Sequence, residues 1–494
     1  MAFNILETTI EQVHAAYKSG ELSCRQLVQM YLDRIDAYDK NGPAINAIIS
    51  INPEALKEAD RLDAAFKASG FVGPLHGIPI VMKDQGDATP MPTTLGSVLF
   101  KDYYPERDAF VVDKIKKAGA IILAKATLGE LGGGDTHGSL FGSTKNPYDL
   151  ERTAGGSSGG SGASVAANFC AVAIGQEGFA SIRRPSTWNC VSGMRPTAGL
   201  VSRSGVYAGW PSVNGSLGPM ARTVTDLAKL LDVMVGYDPD DPVTARGVKQ
   251  MADSFTDFLD RNGLKGARIG ILRESMGYDA EPGTEDFTKI GEVFDKAVAD
   301  LKAAGAEIVD PVVIADLKSL LAKRATNAID EEKSFQTYMS RSKNPPYRAR
   351  QEAMNSQEFH KITKRSRDRW TKVATDESHY EYLKAREQLM TNLLQLMAEH
   401  KLDAIAHKAV EHQPTLIKDG INPPYVDQKG APLINTFLVY VPSVVVPAGF
   451  TRDNLPAGIT FLGRPYDDGR MIKYAYAYEQ ATQHRKPPPS VTPL

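Results

Sequence analysis

Three short segments of this chain hold residue types that could do covalent chemistry. Lys83 ends the apolar run Gly77-Ile78-Pro79-Ile80-Val81-Met82. A lysine at the end of a buried strand is partly desolvated, and burial disfavours its charged form, so it could act as a base near neutral pH. By itself such a lysine could equally snorkel to the surface or pair with the adjacent Asp84. The second segment is Gly155-Gly156-Ser157-Ser158-Gly159-Gly160-Ser161-Gly162, rich in the small residues that tight turns and close backbone approach require. Its composition also fits a flexible linker. However, the alanine-rich apolar stretch 163–173 follows at once, and a linker does not belong inside a dense α/β pattern. No Gly-Lys-Ser/Thr follows, which excludes a Walker A loop. The third segment runs Gly175-Gln176-Glu177-Gly178-Phe179-Ala180-Ser181-Ile182-Arg183-Arg184-Pro185. Ser181 follows a turn whose backbone N–H groups could converge on one point, as an oxyanion hole requires.

These segments need elements to hold them. Residues 1–70 read as helices. Thr8-Thr9-Ile10-Glu11 is a capping-box pattern with Gly20 as its stop. Ser23-Cys24-Arg25-Gln26 is a second box, followed by Leu27, Val28, Tyr31, Leu32, Ile35 and Tyr38 at helical spacing. Asn52-Pro53 opens a third helix. This helical arm is expected to pack on the core or to offer a homodimer surface. From residue 76 the pattern alternates. Strands are expected at 77–82, 118–124, 171–174, 268–272, 443–446 and 459–462, with helices at 109–117, 227–235, 284–304 and 471–482. Such alternation argues for an α/β layer architecture. Residues 350–400 are polar and helical, with Met354, Phe359, Trp370 and Leu383 scattered through them.

Composition narrows the function classes. The 494 residues, 42% of them hydrophobic, can build a large core. Lys and Arg number 57 against 59 Asp and Glu, so no strong field points to nucleic acid or an anionic membrane. Cys24, Cys170 and Cys190 are too few and too scattered for a disulfide framework, and no Cys/His spacing suggests a metal site. The start lacks a basic n-region and an apolar h-region, and no 18-residue apolar run exists. The expectation is a cytoplasmic protein without metal, cofactor or membrane span.

Taken together, Lys83, the Gly155–Gly162 loop and Ser181-Ile182-Arg183 resemble the amidase signature family. The resemblance extends to Gly73-Pro74-Leu75-His76-Gly77-Ile78-Pro79, Met91-Pro92-Thr93-Thr94-Leu95-Gly96-Ser97, Asn146-Pro147-Tyr148-Asp149 and Gly218-Pro219-Met220-Ala221-Arg222-Thr223-Val224. It returns at Val446-Pro447-Ala448-Gly449-Phe450, Leu462-Gly463-Arg464-Pro465 and Ala477-Tyr478-Glu479-Gln480. It implies one large catalytic domain over residues 71–494, a central mixed twisted sheet covered by helices on both faces, and a variable helical insertion at about 315–400. It also implies hydrolysis of a C–N acyl bond in a small amide or carbamate, without a cofactor. Ser181 resembles the nucleophile, Ser157 the bridging serine and Lys83 the terminal base. Backbone N–H groups of Gly178, Phe179, Ala180 and Ser181 would hold the oxyanion. Ser158 would support its loop.

The chain departs from the family pattern just before the nucleophile. Gly-Gln-Glu-Gly-Phe-Ala-Ser stands where Gly-Thr-Asp-Thr-Gly-Gly-Ser is usual, so Glu177 replaces an Asp and Phe179-Ala180 replaces a glycine pair. Phe179, Trp188, Tyr207, Trp210 and Tyr440 lie near the presumed catalytic loops in sequence and are candidate walls of a substrate pocket. Two alternatives carry their own signatures. Gly155-Gly156-Ser157-Ser158-Gly159 also fits G-x-S-x-G, which would make Ser157 the nucleophile of an α/β-hydrolase-like esterase with His407 or His412 as base. Some members of the resembled family are glutamine-hydrolysing subunits of tRNA amidotransferases, which work with a partner.

Overall fold

The apolar runs around Lys83 and Ser181 become neighbouring strands of one eleven-stranded sheet. The computed structural model describes residues 3–212, 214–325, 331–372 and 375–494. In chain order the strands are β1 (Ile48–Ile51), β2 (Pro79–Lys83), β3 (Ile121–Ala126), β4 (His137–Gly138), β5 (Gly142–Ser143), β6 (Lys145–Asn146), β7 (Asp149–Thr153), β8 (Val172–Glu177), β9 (Ser192–Arg195), β10 (Ser216–Ala221), β11 (Arg268–Leu272), β12 (Glu307–Val312), β13 (Ala404–Lys408), β14 (Ser443–Phe450) and β15 (Pro456–Leu462). Strands β4 and β5, and β6 and β7, form two small ribbons; the rest make the sheet, in the order β1-β3-β2-β8-β10-β9-β14-β15-β13-β11-β12. Strand β2 runs parallel to both of its neighbours, and β11 lies parallel to β12 and β13; the remaining pairs are antiparallel. All five β2 residues are buried. A strand covered on both faces must be apolar along its length, hence the unbroken run before Lys83.

Helices flank this mixed sheet, as expected. Val224–Met234 packs on β10, Glu285–Ala303 and Asp468–Thr482 pack on β14, and Gly159–Ala166 packs across β2, β3, β8 and β10. The N-terminal helices Ile10–Ser19, Cys24–Ile35 and Ala55–Ser69 belong to the same core. Ile10, Val13, Tyr17, Leu27, Val28 and Tyr31 are all buried in the main apolar cluster. Two details differ from expectation. The first capping box is formed by Thr9 with Gln12, one residue later than Thr8 with Glu11. The segment is also not wholly helical, because β1 pairs with β3 and forms an edge of the sheet. Strand β1 is only four residues long, too short for a clear period. Strands β9 and β10 carry no clear strand signal, because Gly193, Gly218 and Pro219 interrupt their apolar pattern.

The stretch at about 315–400 is helical, with Leu317–Leu321, Glu331–Met339, Arg350–Met354, Lys364–Thr371 and Asp376–Glu399; its residues 326–330 and 373–374 lie outside the described residues. Phe335, Tyr338 and Trp370 from these helices pack against Phe100, Tyr103 and Tyr207. These helices thereby lie against the loop that follows β2. Among the described residues no helix is long and apolar enough to cross a membrane. The three cysteines are buried and unpaired.

Candidate active site

The strand register decides what Lys83 meets. Parallel pairing sets Met82 opposite Lys125 on β3, and Lys125 Nζ forms a fully buried ion pair with Asp84 at 2.6 Å. Thr94 N also donates to Asp84, at 3.0 Å. Asp84 is therefore committed elsewhere. Lys83, fully buried, points its Nζ to Ser157 Oγ at 2.7 Å and to Gln176 O at 3.2 Å. Burial pushes the amine well below the ordinary lysine range; the charge of Glu177 opposes this and that of Arg369 adds to it. A buried lysine that touches a hydroxyl and makes no ion pair among the described residues can take a proton from it.

The glycines of the second loop have a steric purpose. A Cβ on Gly156 would sit 2.1 Å from Gly134 O, and one on Gly160 would sit 2.4 Å from Thr127 O. Only glycine lets these backbones approach so closely. The Gly156–Ser157 peptide is cis. Ser158 ties this loop to the third segment: its N–H donates to Ser181 O at 3.0 Å, its Oγ donates to Gln176 O at 3.2 Å, and Gln176 N donates to its Oγ at 3.2 Å. The two serine loops are thus bound side by side.

The loop 178–182, which carries Ser181, joins β8 to the helix Arg183–Trp188. Glu177 closes it like a staple. One carboxylate oxygen accepts from Ile182 N and Arg183 N, each at 2.9 Å, and the other meets Arg183 Nη2 at 2.5 Å. Arg195 Nη1 stands 3.7 Å away. Burial alone would raise this carboxyl, but Arg183 and Arg195 outweigh it and hold it below its ordinary value. Among the described residues, the N–H groups of Gly178, Phe179, Ala180 and Ser181 donate to no protein acceptor. Four consecutive donors are left unpaired while the next two are consumed by Glu177. Neither Phe179 nor Ala180 has a positive φ, so replacing a glycine pair strains nothing here. The Ser181 hydroxyl makes no hydrogen bond among the described residues and faces the cavity.

Glu177→Gln should therefore cost roughly 3–5 kcal/mol of stability, because it leaves buried Arg183 and Arg195 without their counter-charge. Since the folded carboxyl is held low, the wild-type contribution is present above the unfolded carboxylate pKa and is lost as pH falls through the folded one. Thermal melts of both proteins from neutral to acid pH would show the gap closing on acidification; a constant gap would contradict the ion-pair account.

Ser181 opens onto a cavity of about 260 Å³. Of the aromatic residues expected around it, Phe179 and Tyr207 line it. The others do not. Trp188 is fully buried beneath the Arg184 guanidinium, 3.7 Å from its ring centre, and donates through Nε1 to His412 O at 3.1 Å. Trp210 lines a separate cleft with Tyr338 and Arg341. Tyr440 packs between Arg246 and Arg386. Proximity along the chain misplaced all three. Much of the opposite wall comes from Arg324, Arg365, Arg369, Trp370, Tyr382 and Asp427, which carried no motif. The one available signal was Arg365 and Arg369 at i, i+4, a pattern shared by any solvated helix face. The cavity thus has two sources, loops between residues 85 and 214 and a second stretch from 324 to 436.

Phe179 projects its ring beneath the Arg324 guanidinium, 3.9 Å from the ring centre, and against Tyr278 edge-on. Phe179→Gly is expected to keep turnover and to shift preference toward bulkier acyl groups by roughly 1–3 kcal/mol in relative kcat/KM. Equal losses across an acyl-chain series, with an unchanged melting temperature, would instead assign Phe179 to shaping the loop.

The G-x-S-x-G alternative finds no support in these contacts. Ser157 meets Lys83 and no histidine. His407 is buried on β13, its Nδ1 against Lys408 O, and burial pushes it down to about 4. His412 pairs with Asp286 at 3.1 Å. Neither lines the cavity.

Comparison with known proteins shows the family to which the chain belongs. Residues 26–472 match the family described as Amidase. The chain is 33% identical to a glutamyl-tRNA(Gln) amidotransferase subunit of Methanosarcina barkeri, over 96% of this chain and 97% of that protein. Among solved structures it is similar to the native peptide amidase of Stenotrophomonas maltophilia, with a TM-score of 0.86 at 32% identity and 99% of both chains covered. It is also similar to the corresponding glutamyl-tRNA(Gln) amidotransferase subunit of Thermotoga maritima, with a TM-score of 0.72 at 27% identity over 100% of this chain and 98% of that one.

Proposed function

Because this chain belongs to the amidase family, whose members carry the amidase signature, we propose that it hydrolyses a C–N acyl bond of a small amide or carbamate through an acyl-enzyme on Ser181. The observation that carries this reading is the 2.7 Å contact between Ser157 Oγ and a fully buried Lys83 that makes no ion pair among the described residues. In the proposed cycle Ser181 Oγ attacks the carbonyl carbon. Its proton passes to Ser157 Oγ as Ser157 gives its own to neutral Lys83 Nζ. The tetrahedral oxyanion is held by the unpaired N–H groups of the 178–181 loop. The proton returns through Ser157 to the leaving nitrogen as the C–N bond breaks, and water repeats the sequence on the acyl-enzyme. Three unpaired thiols suit a reducing compartment, and the cytoplasm is the proposed place of action.

The test is covalent. A fluorophosphonate should label the protein once, and peptide mass spectrometry should find the adduct on Ser181. An adduct on Ser157 would overturn the assignment.

One observation favours a second reading. The 33% identity to an amidotransferase subunit spans nearly the whole chain, and a protein of that kind would hydrolyse glutamine and co-purify with a partner. The higher TM-score to a peptide amidase, 0.86 against 0.72, supports the free-standing amidase instead. A glutaminase assay on the purified chain separates the two.

A further inference from the structure

Among the described residues, the other charged side chains named on the cavity wall each have an ionic or carbonyl partner. Asp427 pairs with Arg365 at 2.6 Å and Glu331 pairs with Arg350 at 2.7 Å. Arg369 Nη2 donates to Leu131 O at 2.6 Å. Arg324 is different. Its Nε donates to Thr436 Oγ1 at 3.1 Å, and its guanidinium lies flat on the Phe179 ring. Among the described residues no carboxylate lies within ion-pair distance of it and no acceptor meets its Nη groups. The arginine is held on two sides, by a hydrogen bond and by an aromatic face, with its forked donors left over on a cavity wall. Thr436 is itself fixed, since its carbonyl accepts from Tyr382 Oη at 2.8 Å. Beside Tyr382, His379 Nδ1 is buried without a partner among the described residues. A largely desolvated cation is costly unless a counter-charge arrives, and a planar fork is the geometry that suits a carboxylate.

We propose that Arg324 is a specificity-determining residue that receives a carboxylate on the acyl part of the substrate. The chain would then favour half-amides of dicarboxylic acids over neutral amides of the same size. Phe179 belongs to the loop that would hold the oxyanion, and its ring holds the guanidinium on the wall of the same cavity that Ser181 lines. Burial lowers the affinity of Arg324 for its proton, which an incoming anion would reverse. This inference rests on the amidase reading for its chemistry, although binding alone can test it.

The Ser181→Ala protein, which cannot form an acyl-enzyme, is titrated calorimetrically with succinamate, glutaramate and adipamate, each beside the methyl ketone that replaces its carboxylate. At least one half-amide should bind about tenfold more tightly than its ketone. Arg324→Met in the same background should remove that advantage, with the loss falling on the half-amide, and Arg324→Lys should keep part of it. The proposal fails if no half-amide exceeds its ketone, or if the advantage survives Arg324→Met. It also fails if both arginine variants weaken half-amide and ketone equally, which would mean that Arg324 only braces Phe179. Failure of the amidase reading shows elsewhere, as absence of label on Ser181 and of turnover by the unaltered protein.

Discussion

Ser181→Ala is expected to lower kcat by about ten-thousandfold or more, the scale on which removing a serine nucleophile acts, while leaving the thermal melt in place. Both halves of this expectation come from the loop geometry. The hydroxyl makes no hydrogen bond among the described residues, so the fold gives up nothing when it goes. The structural contact at this position is made by the Ser181 carbonyl, which accepts from Ser158 N at 3.0 Å and survives the substitution. Ammonia release from amide substrates, measured alongside a melting curve, checks the two halves together. Turnover within about tenfold of the unaltered protein would remove Ser181 from the nucleophile's role, since no second group could reproduce a lost covalent step so closely.

Lys83→Met should cost roughly a thousandfold at neutral pH, within the range ascribed to a positioned general base. The pH dependence is the sharper readout. The active form is the neutral amine, and burial holds Lys83 well below the ordinary lysine range. For the unaltered protein, kcat/KM should therefore rise with pH through that lowered value and then level off. The variant should lose the inflection and gain rate only as hydroxide increases. Stability should hold or improve, because methionine fills much the same volume without a buried amine to desolvate. A variant whose pH profile keeps the original inflection would assign the titration to another group and end the base assignment.

Much of the site could be read before the fold was known, and the reasons are specific. The glycines of 155–162 were legible because close backbone approach admits no other residue, as the 2.1 Å clearance at Gly156 confirms. The buried run ending at Lys83 was legible because a strand flanked by parallel neighbours must be apolar throughout. The fate of Asp84 was not. It depends on Lys125, which only the β2–β3 register brings alongside. Glu177 stands where the family pattern has an Asp, and its role could not be read from that exchange: it accepts from the two N–H groups that follow Ser181 and anchors Arg183. The wall formed by Arg324, Arg365, Arg369 and Asp427 had no local signature: Arg365 and Arg369 sit on a polar helix, where charged residues look alike whether they face water or a cavity, and Arg324 and Asp427 lie in loops without a motif. Trp188, Trp210 and Tyr440 failed for the converse reason: being near in sequence set no direction for their side chains.

The residues proposed for bond cleavage lie between 83 and 181, whereas the far wall of the cavity is drawn from 324 to 436. The two stretches meet across open space, with Phe179 and Arg324 as a principal point of touch. Heredity can therefore act on them separately. Changes in the later stretch can alter what is admitted while leaving Lys83, Ser157 and Ser181 in place, with Arg369 as the exception whose charge also bears on the Lys83 amine. A lineage built this way can wander among substrates while its cutting apparatus stands still. A chimaera carrying the 315–436 stretch of a relative would inherit the donor's diet and keep the recipient's chemistry.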